Sequence, residues 1–193
     1  MNKDYVAVLD ACVLVGGGLR DTLLRLAETP RLYVPKWSDE IIDETVRTLR
    51  SRFGKSAEQT GHLVSELRLA FPEAWVCGYQ ELRASLQTDP KDTHVLAAAI
   101  RSCSQTIVTF NLKHFPREAL QPYDIEAIHP DEFLVNQFHL DDALVTRKFT
   151  EQAAFINRTV EQQLHAFKKA LPLFSHTLAD ALSIDLATGG SNP

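Results

Sequence analysis

The stretch YVAVLDACVL, residues 5–14, decides the fold. Residues 5–9 are apolar and β-rich without alternation, the pattern of a strand covered on both faces, and Asp10 follows directly. Helical periodicity then runs over residues 19–26. A buried strand followed by a helix is the first half of a strand–helix–strand crossover, and the rest of the chain repeats it. Residues 31–34 predict a second strand closed by Pro35. From Ser38 a helix follows, with Asp39, Glu40 and Asp43 in its opening turns, an apolar stripe of Ile42, Val46, Leu49 and Phe53, and Gly54 as its end. Residues 56–70 predict another helix, stopped by Phe71 and Pro72, and residues 74–76 a weaker third strand. Asp89 and Pro90 open a helix to about Ser102, and residues 106–110 and 124–128 are the last two strands. Such alternation predicts right-handed crossovers and a mostly parallel sheet covered by helices on both faces.

From about Asp141 the pattern changes. Phe149, Ala153, Ile156, Val160, Leu164, Phe167 and Leu171 fall at steps of three and four, predicting one long amphipathic helix ended by Pro172, with a further short helix over residues 173–182. Residues 189–193 read as a frayed tail. The expected division is an α/β domain over residues 1–138 and a C-terminal helical extension over residues 139–193.

With 193 residues, 45% of them hydrophobic, the chain can bury a sizeable core. Its net charge of −5 gives no electrostatic footprint for wholesale binding of nucleic acid, and favours a substrate met by a small basic patch, or a site whose own carboxylates need a cation, over a nucleic-acid coat. Three cysteines, Cys12, Cys77 and Cys103, have no C-x-x-C spacing, and the apolar N-terminal run is broken by Asp10. A cytoplasmic protein that does not enter the membrane is the expectation.

In a parallel sheet, ligands gather where strand ends meet helix starts. Asp10 follows the first strand and Asn111 the 106–110 strand, although turn and cap roles would equally place such residues there. Asp92 precedes Val95, Leu96 and Ala99, at the head of a stripe that should face the sheet. Asp89 is well explained as an N-cap, with Pro90 at the first helical position and Asp92 at the third; capping accounts only in part for Asp92. Glu44 lies opposite the Ile42, Val46, Leu49 stripe, and periodicity alone leaves it in solvent. Trp37 reads as core or interface, with base stacking as the alternative; His94 reads as structural, and Lys113 and His114 as exposed loop residues or phosphate contacts. The glycines at 16–18 read as a flexible turn, since their spacing is not that of a dinucleotide-binding loop.

Three segments, YVAVLDACVL, WSDEIIDETVRTLR, and DPKDTHVLAAAI followed by TIVTFNLKHFP, resemble in their order and separation the PIN domain, and most closely VapC-type toxins of toxin–antitoxin systems. The resemblance covers roughly residues 5–135. It implies a three-layer α/β fold with a five-stranded, mostly parallel sheet, and RNA hydrolysis with Mg²⁺ or Mn²⁺. It also implies a cognate antitoxin as partner, and a homodimer is expected. By position, the family's metal-binding acids fall on Asp10, Glu44 and Asp92, and its fourth acidic position on Asn111; together these four would be catalytic. Thr109 matches the supporting hydroxyl residue, and Asp89 is expected to support the site beside it. Cys12 and His114 depart from the usual pattern, and with Asn111 they leave open a weakened PIN-like module that binds RNA or takes part in assembly.

Physical chemistry agrees with the metal. Two carboxylates about 4 Å apart repel by roughly 4 kcal/mol at an effective dielectric near 20, so gathering three is unfavourable without a cation. Hard oxygen donors suit Mg²⁺ or Mn²⁺, which can activate a water for attack on a phosphodiester. Phosphatases of the haloacid-dehalogenase type need a second aspartate where Cys12 stands, and receiver domains need an acidic pair after the first strand; neither is present.

Overall fold

The computed structural model describes residues 5–86, 89 and 91–186. The expected frayed tail at residues 189–193 and the helix-opening Pro90 lie outside them. Two compact units divide the chain: one comprises Tyr33–His129 with the described part of Asn2–Arg20, the other Asp21–Leu32 with the described part of Pro130–Pro193.

In the first unit, β1 (Val6–Leu9) leads into α1 (Ala11–Val15) and α2 (Gly17–Ala27), whose residues from Asp21 onward belong to the second unit. There follow β2 (Val34–Lys36), α3 (Asp39–Phe53), α4 (Ala57–Ala70), α5 (Thr93–Arg101), β3 (Thr106–Val108), α6 (Arg117–Leu120) and β4 (Glu126–Ile128). The sheet has the order β2-β1-β3-β4 and every pairing is parallel. Ala7, Val8 and Leu9 are wholly buried, as the unalternating run predicts for a central strand. Helix α5 packs on β1 and β3, α6 on β4, and α1 on α3.

The sheet has four strands among the described residues, not five. Residues 74–76 pair only through an isolated bridge between Trp37 and Trp75, where Trp37 N–H donates to Ala74 and Val76 N–H to Trp37. Pro35 explains the truncation. It lies inside β2 rather than after it, on the same side of the strand as Trp37, and has no N–H, so the first donor on the outer edge of β2 is Trp37. Trp37 itself is wholly buried, edge-on to Phe71 and Trp75, which removes the base-stacking alternative.

Helix α3 begins at the Ser38 cap, whose hydroxyl accepts from Ile41 N–H, and ends at Gly54 with φ 62°. Its buried face is Ile41, Ile42, Thr45 and Leu49; the expected stripe was displaced, since Phe53 is 58% exposed. Thr45 is admitted to that face because its hydroxyl donates to the Ile41 carbonyl. Helix α5 starts later than expected. Asp92, not Asp89, holds its N-cap position, and the Asp89 carboxylate accepts Lys91 N–H in the turn before it.

The second unit contains α7 (Pro130–Leu140), α8 (Asp142–Phe155), α9 (Val160–Phe167) and α10 (Pro172–Ala181). The single long helix expected over residues 149–171 is broken into α8 and α9: Asn157 is left-handed (φ 54°) and Thr159 starts afresh with a capping box to Gln162. Lys148 donates to the Arg25 and Glu28 carbonyls at the end of α2. Asp131, 3% exposed, accepts Leu173 and Phe174 N–H at 2.9 and 2.8 Å, satisfying the first turn of α10 from α7. Asp131→Ala is therefore expected to lower stability by roughly 2–4 kcal/mol, and Asp131→Asn by less, in urea unfolding followed by circular dichroism. An unchanged midpoint for Asp131→Ala would refute this anchoring.

Candidate functional site

Strand order places the site. From β1 the chain crosses to β2 on one side of the sheet and reaches β3 on the other, so the ends of β1 and β3 flank a topological switch point. Asp10 follows Leu9 of β1, and Asn111 lies three residues beyond Val108 of β3. Both hold N-cap positions of short helical turns, as Asp92 does for α5, and none of the three makes a side-chain capping bond. Capping therefore does not account for them.

Asp10 is 3% exposed, and its Oδ2 accepts from the Thr109 hydroxyl at 2.6 Å and the Cys12 thiol at 3.1 Å. Thr109 also receives Asn111 N–H at 3.0 Å, and Cys12 Sγ receives Phe110 N–H at 3.2 Å, so the two strand ends are laced together. Burial and the neighbouring Asp10 push the Cys12 thiol up to about 12, which keeps it a neutral donor. No cation pairs with Asp10, and its Oδ1 has no hydrogen bond, among the described residues. A carboxylate so placed suits a cation on its open side.

Glu44 and Asp92 complete the lining of a cleft of about 410 Å³, together with Asp10, Cys12, Arg47, Arg52, Phe53 and Asn111. Glu44 thus faces the cleft at the flank of the buried stripe, where periodicity alone would leave it in solvent. Burial is the main reason its carboxyl is raised above the usual range; Asp10 and Asp92 add to the rise, and His94 and Arg47 oppose it. Asp92 is raised likewise by burial, then by Asp10 and Asp89, against His114 and His94. Two histidines stand behind these acids. His94 Nε2, 2% exposed, lies 3.6 Å from Glu44, and His114 Nδ1 lies 3.0 Å from Asp92; neither nitrogen meets hydrogen-bond geometry.

Among the described residues no three histidine, cysteine, aspartate or glutamate side chains stand close enough to hold a metal ion as they are. The donor chemistry nonetheless fits a hard divalent cation. Three carboxylates and the Asn111 amide line one cleft, one of the carboxylates belongs to a buried residue with no ion pair among the described residues, and Mg²⁺ takes only one or two carboxylates directly while keeping waters. Sequence reasoning missed the Cys12–Asp10 bond, the His94–Glu44 approach, and the arginines of α3. His94 stands two residues after Asp92, and Cys12 two after Asp10, a spacing that could have signalled both.

Compared with known proteins, residues 6–113 match the family model described as PIN domain. A protein of Mycobacterium tuberculosis (strain ATCC 25618 / H37Rv), provisionally named ribonuclease VapC50, is 54% identical over 67 residues, 35% of this chain and 40% of that one. The match thus spans about two fifths of that curated relative's length. No solved structure matches, and no helix among the described residues is long and apolar enough to cross a membrane.

Because Glu44 and Asp92 bind their protons more tightly folded than unfolded, their contribution is fully present below the unfolded value near pH 4 and is lost as pH rises through the folded one. In EDTA, Asp92→Asn is therefore expected to melt a few degrees above the unaltered chain at pH 7.5, with the gap closing toward pH 4. Added Mn²⁺ should raise the melting temperature of the unaltered chain more than that of the variant. A variant that melts lower at pH 7.5 would contradict the crowding of charge.

Proposed function

The chain belongs to the PIN-domain family, whose model matches more than half of it, and from this we propose that it is a metal-dependent endoribonuclease acting as the toxin of a toxin–antitoxin pair. The observation that carries the proposal is that Asp10, Asp92 and Asn111 hold cap positions without capping and line one cleft with Glu44. The provisional ribonuclease name of the partial relative supports the choice of RNA.

Asp10, Glu44 and Asp92 would hold Mg²⁺ or Mn²⁺, with Asn111 contributing an uncharged oxygen. A bound ion supplies Lewis acidity toward a phosphate oxygen and lowers the pKa of water at the site. Thr109 fixes one rotamer of Asp10, as an outer hydrogen-bond partner does for a ligand. Asp89 holds the turn before Asp92 and adds negative charge to it. A cognate antitoxin, a homodimer, a cytoplasmic setting, and a nuclease domain over residues 1–138 with a helical extension over residues 139–193 belong to the same proposal.

One observation favours a second reading. The three carboxylates do not form a ready metal group, which suits a weakened module that binds RNA without cutting it. Cleavage separates the two. Purified chain freed of any inhibitor is expected to cut RNA with Mn²⁺ and not with EDTA. Asp10→Asn should lower the rate at least about a hundredfold, consistent with the several kcal/mol that a metal supplies to developing charge. Thr109→Val should lower it roughly 10–100-fold. No cutting with Mn²⁺, or equal cutting by Asp10→Asn, sinks the nuclease proposal.

A further inference from the structure

The acidic cleft has a basic rim, and the rim has an aromatic at its end. On α3, Glu44, Thr48 and Arg52 stand at successive four-residue steps and all line the cleft; Arg47 and Phe53 line it as well. Arg47, Arg50, Arg52 and Lys55 are exposed, and Arg47, Arg50 and Lys55 also border a second, shallower depression beside the first.

The two ends of α3 are treated differently. The acids of its first turn are neutralised: Arg68 pairs with Asp39 at 2.8 Å, and Arg83 with Glu40 at 2.9 Å. The arginines toward its other end form no salt bridge or hydrogen bond among the described residues, and Arg47 acts on Glu44 only through space. Arg50 and Arg52 suit the negative end of the helix dipole, but Arg47 lies too far from that end to gain from it. Phe53 is 58% exposed beside them, although it stands next to Gly54 where the helix ends and a polar residue would serve as well.

We infer that Arg47, Arg52 and Phe53 form a binding ridge for single-stranded RNA, with the arginines on phosphates flanking the cleft and Phe53 stacked on one unpaired base. The inference rests on the nuclease proposal for the identity of the substrate and adds what that proposal lacks, a reason for strand selectivity. From Glu44 to Arg52 the helix advances about 12 Å. That length lets the ridge run along a strand leaving the cleft rather than meet it at one point. A chain of overall charge −5 cannot hold RNA by its whole surface, and this ridge supplies the local positive charge that such a substrate requires. Stacking demands a base face free of its neighbours, so a paired duplex cannot use Phe53.

Binding is measured without cleavage, by fluorescence anisotropy of a labelled twelve-nucleotide single-stranded RNA in EDTA, and then of the same sequence annealed to its complement. The full chain is expected to prefer the single strand. Phe53→Ala should weaken single-strand binding roughly tenfold, Phe53→Trp should restore it, and neither should change duplex binding. Arg47→Gln and Arg52→Gln should each weaken it several-fold and reduce the slope of log K against log salt by about 0.7. Equal affinity of Phe53→Ala and the unaltered chain, or of single strand and duplex, overturns the ridge. If these side chains serve a protein partner instead, all three variants bind RNA unchanged, which also overturns it. Selective binding by a chain that cuts nothing with Mn²⁺ leaves the ridge standing and defeats the nuclease proposal, so the two fail separately.

Discussion

The hydrogen bond from the Thr109 hydroxyl to Asp10 Oδ2, 2.6 Å long and buried, joins two segments 99 residues apart at the point where the strand order reverses. It exists because β1 and β3 are parallel neighbours in register, Leu9 beside Val108, so that the residues after both strands emerge together. Around it the other groups find their places. Cys12 braces the same carboxylate oxygen, Asn111 N–H closes on Thr109, and α5, packed on both strands, brings Asp92 to the same cleft. A thiol and a hydroxyl are the donors, so neither brings a charge of its own to the carboxylate.

This economy sets the site against the stability of its own fold. Burial and mutual repulsion raise Glu44 and Asp92, and a buried acid without a cation is unfavourable wherever it stands. The same groups packed for stability alone would be amides or apolar residues. Natural sequences retain such conflicts where chemistry needs them, which is why a concentration of unsatisfied charge in one cleft is informative about function.

Much of this was legible along the chain, and the exceptions have physical causes. Asp10 could be read because it directly follows a buried strand, and Asn111 because it stands just past the apolar run that contains β3, although that strand ends three residues earlier, at Val108. Asp92 could be read from its place at the head of the α5 stripe, although the helix begins later than Asp89 suggests. Glu44 could not. Thr45 belongs to the buried face of α3 and Phe53 does not, so a stripe traced through apolar residues points the helix the wrong way. A threonine that satisfies its hydroxyl on the preceding turn looks polar in sequence and behaves as core in the fold. The His94 and Arg47 neighbours of Glu44 depend on tertiary placement that no spacing encodes. In the second unit, Asn157 and Thr159 carried a helix break and a new cap, but the apolar steps of three and four ran unbroken across them and hid both.

Pro35 has an effect beyond shortening the sheet. The outer edge of a parallel sheet presents alternating donors and acceptors that a strand from another chain can read as a template, the first step toward fibrous association. Here the proline deletes one donor from that edge, and the Ala74 carbonyl accepts the next, Trp37 N–H. The β2 margin is thereby closed to a foreign strand by one missing hydrogen and one short stretch of the chain's own backbone.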